Sequence, residues 1–277
     1  MSAPFRRLTG SFSLSGAGLH SGRDCALRIS PYEGELTLTA NGQESPISAL
    51  RLEGTGRGSD YVFPDGSRVR TCEHVLAALT GMGVWEARLE VEGGEMPALD
   101  GCAARVSEAV LENSAPCTEG PAPLTLSSAV VVGGGPRFAA ALPAPEFHLT
   151  CVVSYGTPLI GTQMLDFDGG PEAFHDELAR ARTFAMASEI EALRSRGMAL
   201  GGSLDNAILV GEDGFQAAGG LRWPDEFVRH KALDLIGDLA ALGRPLRAQV
   251  LAVRGGHELH LRLVERLRAL LCRGQRP

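Results

Sequence analysis

The sequence predicts an α+β fold in two similar halves, each with a mostly antiparallel sheet and helices, and three observations predict it. Short runs of alternating apolar and polar residues recur along the chain, bounded by Gly, Pro or Asn-Gly, as in antiparallel strands joined by tight turns. Each half holds a helix-period segment with a histidine near its start, His74 in the first and His230 in the second. Residues 113–123 between them are rich in Ser, Pro, Gly and Ala, the composition of a boundary. The expected organisation is a domain over 1–115, a linker over 116–123 and a domain over 124–277. A chain of 277 residues suffices for two domains of ordinary size, and 44% hydrophobic with 21% charged residues is a globular composition.

Residues 14–22 are glycine-rich but lack the Lys-Ser/Thr of a phosphate loop and the GxGxxG spacing, and no helical pattern follows. His20 falls at a strand–turn junction, where a turn histidine is the plain structural reading. Residues 25–29 and 35–39 read as strands, broken by Pro31 and Asn41-Gly42. Residues 54–68, rich in Gly, Arg, Ser and Asp, read as a loop. Thr71 is placed to cap a helix that runs through Leu79 and stops at Gly81 and Gly83. Glu73 and His74 lie in its first turn, about 100° apart. They suit a base beside a metal ligand, although a first-turn Glu is also what the helix dipole favours. Residues 85–91 read as a strand, 95–101 as a turn-rich loop and 103–111 as a short helix.

The second half begins with strands at 124–132, 137–142 and 147–154 and a turn at 155–158. Residues 171–181 and 188–195 read as helical, 197–203 as a glycine-rich segment and 207–210 as an apolar strand. After the helix that carries His230 come a strand over 247–253, a turn at 254–257 and an amphipathic helix over 258–271. The segments around His74 and His230 are short counterparts that suggest a duplication.

Net charge is −7 with no long basic run, which argues against a general nucleic-acid binder. The six cysteines are scattered without a CxxC, and the start of the chain lacks a signal-peptide pattern, so reduced thiols in a cytoplasmic protein are expected. No apolar run approaches the ~20 residues of a membrane span.

Residues 225–239 say most about chemistry. Pro224 and the acids after it suit a helix start, and Gly243 with Pro245 suits its end. His230, Asp234 and Asp238 recur at i, i+4 and i+8, one face of an otherwise apolar helix. Buried carboxylates are costly unless paired or bound to a cation. The stripe is therefore either a structural His–Asp pair or part of a metal site that needs a third ligand, a base and an acid from elsewhere.

With these pieces placed, the chain resembles the UDP-3-O-acyl-N-acetylglucosamine deacetylases, the zinc amidases of lipid A synthesis. The matching segments are SGAGLHSG, TCEHVLAAL, EMPALDG, ARTF, GGSLDNAI, DEFVRHKALDLIGDL and GGHELH, in the family's order over residues 15–260. The resemblance implies two similar α+β domains with their helices sandwiched between the two sheets. It implies zinc held by His74, His230 and Asp234, although iron(II) suits the same donors. It implies removal of the acetyl group from a UDP-3-O-acyl-N-acetylglucosamine substrate by a water activated at the metal. In that chemistry Glu73 is the general base and His257 the general acid, with Asp238 orienting His257 and raising its pKa. Thr183 donates to the oxyanion, and Lys231 meets the oxyanion or the substrate's diphosphate. Phe184, Tyr155 and His20 contact the substrate, and residues 184–203 form an insert for the acyl chain. A monomer is expected.

Three residues depart from the family pattern. Cys72 stands where Val is usual, Met186 where an aromatic is common, and His260 where Asn is usual. Two other readings fit the scaffold, a non-catalytic nucleotide-sugar binder and a zinc amidase with a different substrate.

Overall fold

Alternation decides the sheets. In the computed structural model, which describes residues 4–54 and 56–274 with side chains through residue 271, strands such as those at 148–154 and 246–253 bury every second position against a large common core. Met1 to Ala3 and the Cys272 thiol lie outside the described residues. The five other cysteines are free thiols.

The first half contributes β1 (Phe5–Leu8), β2 (Phe12–Ala17), β3 (Asp24–Ser30), β4 (Thr37–Ala40), β5 (Gln43–Pro46), β6 (Arg51–Gly54), β7 (Ser59–Val62), β8 (Arg68–Val69), α1 (Glu73–Gly81), β9 (Arg88–Glu92), α2 (Ala104–Glu112) and β10 (Ser114–Cys117). The second contributes β11 (Leu124–Thr125), β12 (Val130–Gly134), β13 (Arg137–Pro143), β14 (His148–Ser154), β15 (Thr162–Phe167), α3 (Pro171–Ala173), β16 (Phe184–Met186), α4 (Ile190–Ser195), β17 (Ile208–Val210), β18 (Phe215–Gln216), α5 (Glu226–Leu239), β19 (Leu246–Val253) and α6 (His257–Gly274). The fold is thus α+β, as expected.

The two large sheets share one design. The first is ordered β2-β3-β9-β4-β5 and the second β12-β13-β19-β14-β15, with β11 added beside β19. In each, the central strand pairs antiparallel on one side and parallel on the other. In each, one helix precedes that central strand and one follows it, α1 and α2 around β9, α5 and α6 around β19. The halves are therefore topological repeats. Buried residues of both sheets and of α1, α5 and α6 form a single hydrophobic cluster. Its apolar side chains on α5, such as Leu233, Leu235 and Leu239, each contribute roughly 1.5–3 kcal/mol of burial, which offsets the cost of that helix's buried polar groups.

Four local expectations differ from the structure. Within the expected loop at 54–68, β7 is a wholly buried strand between β6 and β8, because Tyr61 and Val62 supply strand character amid Gly, Ser and Asp. Thr71 does not cap α1; it adopts φ 55°, and its hydroxyl donates to Glu95 Oε1 at 3.1 Å. Residues 171–181 are no regular helix: after the single turn α3, the Ala179 amide donates back five residues to Phe174 O, making a π-turn that seats Phe174 beside Gly81. Residues 114–117, which run two residues into the expected linker, pair with β1.

Candidate active site

The crossing of α1 and α5 sets the frame. Gly237 of α5 rests on the start of α1, where an added Cβ would lie 2.0 Å from Glu73 O. That approach brings His74 and His230 to 5.0 Å between ring centroids. His74 Nε2 and His230 Nε2 lie 3.4 and 3.3 Å from the same oxygen, Asp234 Oδ1. All three residues are buried, and the donor atoms lie within 4.8 Å of one another.

This trio fits a metal ion. Tetrahedral bonds of ~2.0–2.1 Å place neighbouring donors roughly 3.3–3.4 Å apart. Asp234 Oδ1 is buried with no hydrogen-bond partner among the described residues, although a lone buried carboxylate oxygen is costly. His230 Nδ1 sits 3.0 Å from Ala181 O, which can only accept, so Nδ1 carries the proton and Nε2 keeps its lone pair. Burial pushes the His230 imidazole down to about 3, which keeps it neutral as a ligand must be. Burial also works to raise the Asp234 carboxyl, but His230, Lys231 and His257 hold it well below the usual range. Its other oxygen, Oδ2, accepts from Lys231 Nζ at 2.7 Å.

A second constellation faces the first. His257, the first residue of α6, directs Nε2 toward Asp234 Oδ2 at 3.6 Å and Glu73 Oε1 at 3.9 Å. Its Nδ1 lies 3.0 Å from Asp238 Oδ2. Burial lowers the pKa of His257, but Asp238 foremost, then Glu73 and Asp234, outweigh it and raise the ring to about 9. Ser59 of β7 joins the two centres: its amide donates to Glu73 Oε2 at 2.9 Å and its hydroxyl to Asp238 Oδ1. Reading 54–68 as a loop hid this residue, since only the strand geometry of β7 aims the amide and hydroxyl at different helices.

One cavity of about 480 Å³ collects Glu73, His74, His230, Lys231, Asp234 and His257, together with His20, Tyr155, Thr183 and Phe184. Asp238 alone among the expected site residues does not line it, because it sits behind His257. Phe184 packs edge-on against Tyr155 at 5.6 Å, and Lys231 Nζ lies 5.5 Å above the Phe184 ring. Thr183 is pinned by its backbone to Gly101 O and by Ile208 N–H, at 2.8 Å each. His20 Nδ1 accepts from the Ala199 amide, and its buried Nε2 has no partner among the described residues. Apolar side chains of the insert and its neighbours, including Ile190, Leu193, Ile208 and Leu209, line the rest.

Two supports were not read from the sequence. Glu95 is buried and clamps the glycine-rich turn through the His20 and Ser21 amides; Gly18 leaves room for it, since a Cβ there would lie 2.4 Å from Glu95 Oε2. Arg182 and Glu226, both buried, join the Ala181–Thr183 backbone to the start of α5 by Nε–Oε1 and Nη2–Oε2 bonds of 2.9 and 3.1 Å. In the sequence Glu226 passes for an ordinary first-turn acid, and its partner is 44 residues away.

The family model for UDP-3-O-acyl N-acetylglycosamine deacetylase matches residues 6–269. The chain is similar to the protein of that function from Myxococcus xanthus (strain DK1622), 39% identical over 276 residues that cover 95% of this chain and 85% of the relative. The counterpart in Anaeromyxobacter dehalogenans (strain 2CP-C) is 39% identical over 268 residues, 93% of this chain and 85% of that one. The one in Thermosynechococcus vestitus is 38% identical over 266 residues, 93% and 92% of the two chains.

Proposed function

Because the chain belongs to the UDP-3-O-acyl N-acetylglycosamine deacetylase family of amide-hydrolysing enzymes, we propose that it hydrolyses the acetamide of UDP-3-O-acyl-N-acetylglucosamine, giving UDP-3-O-acyl-glucosamine and acetate for lipid A synthesis. The observation that carries the reading is the convergence of His74, His230 and Asp234 Oδ1, which has no hydrogen-bond partner among the described residues, between Glu73 and His257. A zinc ion held by His74, His230 and Asp234 supplies a Lewis acid that brings the pKa of water to ~7 and polarises a carbonyl, and iron(II) suits the same donors.

Glu73 takes the proton of the attacking water. Its Oε2 is held by the Ser59 amide, while Oε1 faces His257 Nε2. The Thr183 hydroxyl donates to the oxyanion as the carbonyl carbon becomes tetrahedral. Lys231, which Asp234 keeps charged against the pull of burial, adds positive potential on the same wall. His257 enters as the cation and passes its Nε2 proton to the leaving amine, and Asp238 stabilises that cation from behind. The rings of Phe184 and Tyr155 supply flat contacts for the sugar and uracil, and the free Nε2 of His20 offers a polar contact at the wall. The insert takes the acyl chain. Among the described residues no helix is long and apolar enough to cross a membrane. We place the enzyme in the cytoplasm as a monomer.

The test is acetate release from UDP-3-O-acyl-N-acetylglucosamine by chelated protein given back one equivalent of metal, with His230→Ala in parallel. Metal-dependent release, lost in the variant, is expected. Tight metal binding without release would refute the substrate, and failure to bind metal would refute the centre.

A further inference from the structure

The cluster behind the general acid holds one histidine that the mechanism does not use. His260 stands one turn along α6 from His257, and both rings meet the same carboxylate of Asp238 on α5. His260 is buried and does not line the cavity that holds Glu73, His230 and His257. Its two nitrogens do different work. The Gly256 amide lies 3.1 Å from Nε2, and an amide N–H can only donate, so Nε2 accepts. The ring proton of the neutral form is then on Nδ1, which donates to Asp238 Oδ2 at 2.8 Å.

These contacts close a ring. Gly256 precedes His257 in the chain, its amide is held by His260, His260 is held by Asp238, and Asp238 accepts from His257 Nδ1. Gly255 lets the turn lie flat on the imidazole, since a Cβ there would come within 2.5 Å of His260 Nε2. Asp238, His257 and His260 also lie close enough to suggest a second metal group. However, His260 Nε2 is occupied by the Gly256 amide, its Nδ1 carries a proton, and Asp238 also accepts from Ser59. The hydrogen bonds therefore leave that cluster no free donor set.

We propose that His260 is a positioning residue for the general acid: by accepting from the Gly256 amide and donating to Asp238, it fixes the turn that carries His257 and leaves His257 Nε2 pointed into the cavity. The proposal rests on the reading of His257 as the acid. It requires a group at position 260 with an acceptor and a donor one carbon apart. An imidazole has that arrangement, as does the carboxamide of Asn, whereas Leu of similar bulk offers neither.

The test compares wild type, His260→Asn and His260→Leu in steady-state acetate release, and follows the histidine nitrogens of the wild type by NMR at neutral pH. His260→Leu is expected to lose ~10–100-fold in kcat, the usual range for outer-shell partners, with KM changed far less, while His260→Asn loses under ~10-fold. The wild-type spectrum is expected to show His260 protonated at Nδ1 with an acceptor Nε2. Full activity in His260→Leu, or equal loss in both variants, would overturn the proposal. If His260→Leu fails to fold, the proposal stands or falls on His260→Asn and on the tautomer, and an Nε2-protonated His260 would refute it. Absence of acetate release from the wild type would refute the functional reading instead, and the NMR signals would then decide the hydrogen-bonded ring separately.

Discussion

Gly237→Ala sets two known effects against each other. In an exposed helix interior the change stabilises by ~1 kcal/mol, because glycine is the poorer helix former. Here the new Cβ would stand 2.0 Å from Glu73 O and 2.7 Å from Glu73 C, both backbone atoms that cannot swing aside. The helices must part by about 1 Å before the first contact reaches the 3.0 Å that real Cβ atoms keep. Overpacking of this kind costs ~1–3 kcal/mol, so the steric effect wins and the variant is less stable. The same parting carries His74 away from His230 and Asp234, whose donors now lie at tetrahedral spacing. A displacement of that order costs ~100-fold where geometry governs the chemistry. Urea unfolding of the metal-free protein and chelator competition for zinc give the two readouts. An alanine variant that is more stable than wild type and binds zinc equally well would refute the view that this close approach sets the metal geometry.

Arg182→Met is expected to destabilise by ~3–5 kcal/mol in denaturant unfolding, because it leaves the Glu226 charge buried without its partner. Adding Glu226→Leu should not restore stability, since the pair also satisfies Ala218 O, Gly220 O and the Arg222 amide; recovery in the double variant would show that the pair does no more than neutralise itself. In metal-free protein His257 should titrate near 9 by NMR, and Asp238→Asn should lower it, because the largest of the charges that oppose burial is then gone; an unchanged value would remove Asp238 as the cause. A folded-state pKa raised above 6.5 means that the stability from His257 is complete below that pH and is lost as pH rises through about 9. His230 has the opposite sign. Its folded value near 3 lies below the ordinary 6.5, so metal-free protein should lose stability as pH falls between them, by up to about 1.4 kcal/mol per unit, and His230→Gln should flatten that slope. Equal slopes in the two proteins would exclude His230 as the source.

Period and neighbourhood explain what could be read from the chain. The His230, Asp234 and Asp238 stripe needs only the helix period, and the structure puts all three on one buried face. Glu73 and His74 stand out for the same reason, as polar residues at the start of an apolar helix, and both are buried. Contacts that depend on distant pairing were invisible. Ser59 serves Glu73 and Asp238 only because β7 pairs with β6 and β8, and Glu95 clamps a turn 74 and 75 residues away. Thr71 satisfies the sequence rule for a cap, but Glu95 takes its hydroxyl and its backbone turns left-handed. The repeated halves were faintly legible at the two histidines. The matching strand orders were not, because β9 and β19 reach the sheet centres by crossovers that no local pattern records.

The repeat also explains why the site is asymmetric. α1 begins at the site and offers its first two residues, Glu73 and His74, whereas α5 runs past it for several turns. Along α5 the stripe residues are spaced by ~6 Å of helix rise, so His230 and Asp238 are about 12 Å apart and cannot serve one centre. Asp234 lies between them and faces both ways. Its Oδ1 meets the imidazoles of His74 and His230, and its Oδ2 meets Lys231 and looks toward His257. A histidine at 234 could set a nitrogen beside His74 and His230, but it would leave Lys231 without its acceptor and would remove one of the negative charges that raise the pKa of His257. A carboxylate is the one side chain of this length with an acceptor for each side, and aspartate at the middle of the stripe meets that requirement.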